Sequence, residues 1–301
     1  LHYLIYNRTA GRGRLPHALD TVRDYFRDRA EPLTVLPAVQ GTELTALLSS
    51  LPPDARVLSL GGDGTLNGLL AATVHTGRTV GVLPAGSADD FASSLGLPRD
   101  DLRPALAAVL GGKTKLVDTG AVTLHTPDGE SLNRHFVNAL GTGFDAEVAA
   151  ERETKLGWMK GEAGYYTALA LSWFRLLRRQ LTVHADGADQ PAWSGRALLA
   201  SCQNSPRTGG SFFFAPGAET DDGVMNLFVA GNVGHFTLLR LLPLVLQGRR
   251  VKHKEAVTIT GRQFTLSWAT ARTLHLDGEI MPPVSRADIT VEPASLRVFI
   301  H

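Results

Sequence analysis

Three acidic stretches have neighbours that suit chemistry. Residues 61–65 read Gly-Gly-Asp-Gly-Thr, directly after the apolar run 55–60 and directly before 66–75, Leu-Asn-Gly-Leu-Leu-Ala-Ala-Thr-Val-His. Glycines let a backbone turn sharply and bring its N–H groups close to an anion. A helix starting there adds partial positive charge. Asp63 would repel a phosphate unless a cation stands between them, and Mg²⁺, which takes carboxylate and phosphate oxygens, fits that place. Residues 274–280, Leu-His-Leu-Asp-Gly-Glu-Ile, put Glu279 just past a strand-like run. A positioned glutamate suits removal of a proton from an alcohol during phosphoryl transfer. Residues 215–226 gather Glu219, Asp221 and Asp222 around Gly223, a turn whose carboxylate and carbonyls suit a divalent cation. Each stretch taken alone also reads as a plain turn, with Asp63 as a helix cap and Asp222 and Glu279 as solvated acids.

The elements around these stretches must bring them to usable places. Residues 2–6, 32–36, 55–60 and 79–86 read as short buried strands. Leu15, Leu19, Val22 and Phe26 recur at helical spacing, and 42–51 reads as a second helix with Thr42 as its N-cap. Helical patterns follow 55–60 and 79–86. This β–α alternation predicts an α/β domain with a parallel sheet. In such sheets ligands sit at the carboxyl ends of strands. Two further loops belong at that edge: 6–14, with Asn7, Arg12 and Arg14, and 83–91, Leu-Pro-Ala-Gly-Ser-Ala-Asp-Asp-Phe.

Near residue 116 the pattern changes to short strands separated by turns. They are expected over 115–124, 134–140 and 195–201, and in the runs Gly-Val-Met-Asn-Leu-Phe-Val-Ala, Glu-Ala-Val-Thr-Ile-Thr-Gly, Gln-Phe-Thr-Leu-Ser-Trp, Arg-Thr-Leu-His-Leu-Asp-Gly and Ser-Leu-Arg-Val-Phe-Ile-His. Two helices interrupt them, over 162–179 and 235–247. Domains are therefore expected over 1–118 and 119–301, the second rich in antiparallel strands.

Bulk properties exclude several classes. At 301 residues two domains are favoured over one. Lys and Arg total 30 against 29 Asp and Glu, a net charge of +1, which argues against a nucleic-acid binder relying on bulk charge. The one cysteine, Cys202, rules out an intramolecular disulfide and fits a reducing compartment, so a cytoplasmic location is expected. The opening residues show no secretory leader and no initiator methionine. The run 236–248 contains Arg240 and Pro243 and is shorter than the ~20 residues a spanning helix needs.

Several familiar motifs are absent. Gly-Gly-Lys-Thr at 111–114 ends like a Walker A loop, but Ala107 stands in the place of its first glycine. No Gly-x-Gly-x-x-Gly follows the first strand, and no zinc motif occurs.

The ordered set 7–14, 61–70, 83–98, 136–148, 164–166, 215–223 and 276–279 resembles the bacterial lipid kinases of the diacylglycerol kinase catalytic-domain family, relatives of the sphingosine kinases. Gly-Gly-Asp-Gly-Thr alone would also fit NAD kinases and phosphofructokinase relatives. The resemblance implies an NAD kinase-like α/β domain, a C-terminal β-sandwich and a last strand that returns to the first domain. It implies ATP bound with Mg²⁺ in an interdomain cleft and a lipid alcohol as substrate. On that basis Gly61, Gly62, Asp63, Gly64 and Thr65 hold the ATP phosphates and their Mg²⁺. Asn7, Asn67, Gly86, Ser87 and Asp89 complete the nucleotide set, and Glu279 accepts the hydroxyl proton. Asp222, with the carbonyls of Glu219 and Val224, forms a structural Mg²⁺ site.

Some positions depart from the family pattern. Arg8 stands for proline, Gly68 for glutamate, Ser93 for arginine and Asp89 for asparagine. Pro37, the best alignment before Gly41, lacks the hydroxyl often found there. These departures bear on nucleotide affinity and motivate a catalytically silent nucleotide- or lipid-binding regulator as an alternative. A NAD kinase is a second alternative, set against by the absence of an Asn-Glu dipeptide. The basic-ended apolar stretches 165–179 and 235–254 suit either transient contact with an anionic membrane surface or an acyl-chain pocket. Ordinary core helices are the plainer reading of both. The sequence leaves a homodimer open.

Overall fold

Leu4, Ile5, Val57, Leu58, Leu60, Val80 and Leu83 are all fully or nearly fully buried. Runs of this kind, apolar on both faces, belong to parallel strands covered by helices on each side. The computed structural model of the chain describes residues 1–7, 15–37, 42–144, 146–148, 150, 167 and 177–301. Arg8, Arg12, Arg14 and Gly41, and most of the helix expected over 162–179, lie outside the described residues. The chain divides into two units, Leu1–Thr119 with Pro293–His301, and Gly120–Glu292.

The first unit runs β1 (His2–Tyr6), α1 (Leu15–Arg27), β2 (Leu33–Pro37), α2 (Thr42–Ser50), β3 (Arg56–Gly61), α3 (Asp63–Thr73), β4 (Thr79–Pro84), α4 (Asp90–Ser94) and α5 (Arg103–Gly111). Its strands are parallel in the order β2-β1-β3-β4. Helix α1 buries Leu15, Ala18, Val22 and Phe26, the one-sided spacing that packs a helix on a sheet. Helix α5 ends at Gly112, whose φ of 73° is the left-handed conformation glycine adopts cheaply.

Strand β5 (Thr114–His125) leads out of this unit. The second unit continues with β6 (Ser131–Phe136), β7 (Ala139–Gly143), β8 (Arg179–Ala185), β9 (Trp193–Ala197), β10 (Leu199–Gln203), β11 (Met225–Ala230), α6 (His235–Leu246), β12 (Ala256–Gly261), β13 (Gln263–Arg272), β14 (Leu274–Leu276), β15 (Glu279–Ile280) and β16 (Val284–Phe299). The end of β16 lies in the first unit, where Arg297 and Val298 pair in parallel with Thr79 and Val80 of β4. One sheet of the second unit has the order β12-β11-β10-β7-β14-β15, all antiparallel. In the other, β16, β13, β8 and β9 are successive neighbours, and β5 joins β16 to β6. Phe136, Leu140, Cys202, Leu227, Phe264 and Leu276 share one core drawn from both sheets, the signature of a sandwich. The α/β-plus-sandwich fold class read from the sequence is therefore the observed one.

Two expected strands are each two strands. The run 134–140 divides into β6 and β7, and 195–201 into β9 and β10, so each crosses from one sheet to the other. At the second corner, Leu198 donates its N–H to the Ala230 carbonyl at 2.8 Å and accepts the Phe144 N–H at 3.0 Å.

Candidate functional site

The register of the first sheet sets its carboxyl edge. Tyr6 lies opposite Leu60, and Gly61 opposite Pro84. Asn7, the Gly61–Thr65 turn and the Ala85–Asp89 loop therefore leave the sheet at the same edge. Thr65 and Leu66 donate their N–H groups to the Gly62 carbonyl at 2.9 and 3.2 Å, so α3 begins inside the glycine turn. Asn67 is on its second turn.

The glycines differ in what demands them. A Cβ at Gly86 would stand 2.4 Å from the Cα of Gly62 and 2.6 Å from Asp89 Oδ1, and one at Gly61 would stand 2.2 Å from Thr65 Oγ1. Packing inside the chain thus requires both. A Cβ at Gly64 would meet nothing within 4 Å, so no packing among the described residues asks for a glycine there. The Ala85 N–H closes the two loops on each other by donating to the Gly61 carbonyl at 2.9 Å.

Asp63 joins the same two loops from its side chain. Its Oδ2 accepts the Asp90 N–H and its Oδ1 the Phe91 N–H, both at 3.1 Å. Burial pushes the Asp63 carboxyl above the ordinary Asp value, against the pull of these two amides and of the Arg99 charge. Phe91 is fully buried and anchors α4. Asp89 sits at φ 49°, where Asp and Asn are tolerated better than most residues, and its Oδ1 accepts the Gly86 N–H at 3.0 Å. Ser93 returns a bond from its Oγ to the Asp89 carbonyl at 2.9 Å. Ser87, between these anchors, is exposed. A Cβ at Gly68 would lie 3.8 Å from Leu44, ordinary contact distance.

In the second unit, Glu279 opens β15 and pairs with Leu276 across a tight hairpin. Asp277 and Gly278 have φ of 50° and 87°, the pair of positive values an Asp-Gly hairpin turn provides. Asp277 is the residue the sequence reading passed over. Its Oδ2 accepts the Val137 N–H at 3.0 Å, and its Oδ1 accepts those of Asn138 and Ala139 at 2.8 and 2.9 Å. The Asp277 N–H in turn donates to the Ala139 carbonyl at 2.9 Å. A buried carboxylate thus pins the Glu279 hairpin to the β6–β7 corner. The Asp-Gly pair signals the turn, but no local feature reveals a partner 139 positions away.

Glu219, Asp222 and Val224 lie in the turn before β11, where Asp222 Oδ1 accepts the Val224 N–H at 3.1 Å. Among the described residues, no three or more His, Cys, Asp or Glu converge as a metal cluster. The same unit contains an apolar cavity of about 50 Å³ under α6, lined by Phe144, Phe212, Phe214, Phe228, Leu238 and Leu242 among others.

Two domain families match the chain in series. The diacylglycerol kinase catalytic domain covers residues 2–122, and the YegS C-terminal NAD kinase beta sandwich-like domain covers 138–300. The chain belongs to the family of the YegS C-terminal NAD kinase beta sandwich-like domain, whose match spans more than half of it, and carries the diacylglycerol kinase catalytic domain ahead of that. This kinase-family chain is 28% identical over 242 residues to the diacylglycerol kinase of Mycobacterium tuberculosis strain H37Rv, covering 80% of this chain and 75% of the relative. It is 25% identical over 280 residues to that of Bacillus subtilis strain 168, covering 92% and 88%. A crystal structure of a diacylglycerol kinase from Bacillus anthracis str. Sterne matches with a TM-score of 0.72 at 18% identity, over 100% of this chain and 96% of that one. Yeast NADH kinase complexed with NADH matches at 0.52 with 10% identity, over 99% and 82%. Both structural likenesses show the shared fold alone. No described helix of the chain is long and apolar enough to cross a membrane.

Proposed function

We propose that this chain is an ATP-dependent lipid kinase that phosphorylates the hydroxyl of a lipid alcohol such as diacylglycerol. One observation carries the reading: two glycine loops close on each other at the carboxyl edge of a parallel sheet, tied by Asp63, and no packing among the described residues requires Gly64. That arrangement starts a helix at the sheet edge, where the N-terminal end of the helix favours an anion. The diacylglycerol kinases among the relatives supply the substrate class.

Gly61–Thr65, with Asn7, Asn67, Gly86, Ser87 and Asp89, bind the nucleotide in this reading. Mg²⁺ entering with ATP needs only one or two protein carboxylates, because phosphates and waters complete its shell. Each Asp63 oxygen accepts one amide N–H and retains acceptor capacity, so Asp63 fits that role. Asp222 and the carbonyls of Glu219 and Val224 are assigned a second, structural Mg²⁺. If so, Mg²⁺ raises the unfolding temperature of the wild type and not of Asp222→Ala; an equal rise in both removes the site.

The substrate oxygen attacks the γ-phosphorus, the bond to the β-phosphate oxygen breaks, and ADP leaves. Glu279 takes the hydroxyl proton. The apolar cavity under α6 suits a hydrocarbon chain, but ~50 Å³ is well below the ~150 Å³ that admits a benzene ring.

The test is phosphorylation of a total lipid extract with labelled ATP, followed by identification of the labelled species. A labelled lipid alcohol is expected from the wild type. With Glu279→Gln the rate falls by ~10²-fold or more while ATP binding persists. No labelled lipid from the wild type overturns the reading, and unchanged turnover in the variant removes Glu279 from it.

A further inference from the structure

Helix α6 presents two unlike faces. Leu238, Leu241, Leu242 and Val245 line the apolar cavity. The opposite stripe, at helical spacing, is Phe236, Leu239, Arg240, Pro243 and Gln247, all exposed. Phe236 is 77% exposed and Leu239 59%, and only Val245 in the helix is buried. An ordinary core helix does not leave its largest apolar side chains outside.

The helix ends in a Schellman motif. The Gly248 N–H donates to the Val245 carbonyl at 3.3 Å and the Arg249 N–H to the Leu244 carbonyl at 2.9 Å, with Gly248 at φ 67°. Beyond it the chain alternates: Val251 packs inward on the cavity cluster, while Arg249, Arg250, Lys252 and Lys254 are exposed. With Arg240, residues 235–254 carry five Lys and Arg and no Asp or Glu.

We propose that the outer face of α6 and the basic segment 249–254 form a docking surface for an anionic lipid bilayer. Phe236 and Leu239 enter the headgroup boundary, and the five cations face lipid phosphates. A 12-residue helix is about 18 Å long and lies in the interface without spanning it. A second copy docked by the same face would set five cations against five. Two side chains also cover far less than the ~1,200 Å² of a stable protein interface. A bilayer meets both conditions, because it supplies negative charge and takes single apolar side chains. The proposal deepens the lipid-kinase reading and rests on it for the source of substrate. Its test uses neither nucleotide nor lipid alcohol, so either idea fails without the other.

Sedimentation with phosphatidylcholine vesicles, with and without phosphatidylglycerol, measures the contact. The wild type is expected to bind the anionic vesicles ~10-fold or more tightly than the neutral ones, with binding weakened by salt. The double variant Phe236→Ser with Leu239→Ser loses most of that binding. Replacing Arg240, Arg249, Arg250, Lys252 and Lys254 by Gln removes the preference for anionic lipid. Unfolding midpoints check that both variants fold. As a second measurement, Leu239→Cys carries an environment-sensitive fluorophore, since Cys202 is buried with its thiol pKa pushed up by desolvation. Its emission shifts to the blue on anionic vesicles. Equal binding by wild type and variants, or no emission shift, overturns the proposal. So does a variant that changes the sedimentation mass of the free protein and leaves vesicle binding intact, which would make the face a contact between copies.

Discussion

Asp63 and Phe91, 28 positions apart, are joined by a 3.1 Å hydrogen bond from the Phe91 N–H to Asp63 Oδ1. Phe91 is fully buried, so the carboxylate is tied to an immobile point of the core. Its other oxygen holds the neighbouring Asp90 N–H. The glycine turn after β3 and the loop after β4 therefore move as one piece. A phosphate site needs that rigidity, because preorganised N–H groups avoid reorganisation when charge arrives.

The glycines of this edge separate packing from binding. Gly86→Ala forces a Cβ to 2.4 Å from the Gly62 backbone and is expected to destabilise the protein by about 1–3 kcal/mol. Gly64→Ala meets no atom, lies in a helix, and should leave stability unchanged or raise it by up to about 1 kcal/mol. If the turn holds phosphate as proposed, the added methyl group crowds it and ATP affinity falls. Denaturant melts and ATP titration calorimetry read the two effects. Wild-type ATP affinity in Gly64→Ala would count against phosphate contact at the turn.

Asp89 stands where the family pattern has asparagine. Its bond to the Gly86 N–H uses one oxygen, which asparagine also offers. Asp89→Asn should therefore hold the loop and remove one negative charge near the triphosphate. The expected result is a KM for ATP several-fold lower, an effect that shrinks in high salt. An unchanged KM would mean that the loop turns this charge away from the nucleotide.

The sequence made the parallel sheet, the glycine turn at 61–65 and the Asp277-Gly278 hairpin legible because each is local, marked by apolar runs ending in glycine. The two sheet crossings were hidden. Around Leu198 the apolar run Ala-Leu-Leu-Ala is unbroken, and around Val137 only Asn138 interrupts it, so the strand-like pattern continues through a corner made by partners distant in sequence. Asp277 was hidden for the same reason: its three amide donors come from the β6–β7 corner. The packing demand on Gly86 comes from Gly62, which only the fold brings near.

Asp277 is accordingly expected to act on Glu279 through position. Asn138 and Ala139 share Oδ1, while the Val137 N–H donates to Oδ2. Asp277→Asn keeps the first oxygen and turns an amide N–H₂ toward the Val137 N–H. One buried donor is left without an acceptor, costing about 1–3 kcal/mol. The hairpin loosens, so kcat should fall while ATP affinity stays. A denaturant midpoint and a full kinetic profile check both. Loss of ATP affinity in step with kcat would instead indicate a general collapse of the fold.

Asp288 gives the second unit an acid-labile brace. Its Oδ1 accepts bonds from Arg286 Nε and Nη2 at 2.9 and 2.8 Å and from Thr265 Oγ1 at 2.7 Å, while His125 Nε2 meets Oδ2 at 2.9 Å. Burial alone would raise its carboxyl, but the bonds from Arg286, Thr265 and His125 outweigh it and hold the carboxyl below the ordinary Asp value. A carboxyl lowered in the folded state stabilises above its unfolded pKa, and that contribution is lost as pH falls through the folded pKa. Asp288→Asn should therefore cost up to about 1 kcal/mol at neutral pH, since the cluster is partly exposed. The gap to wild type should hold down to about pH 4 and close below it. Denaturant midpoints of both proteins across that range measure it, and a gap that widens in acid would show that Asp288 is not the group being protonated.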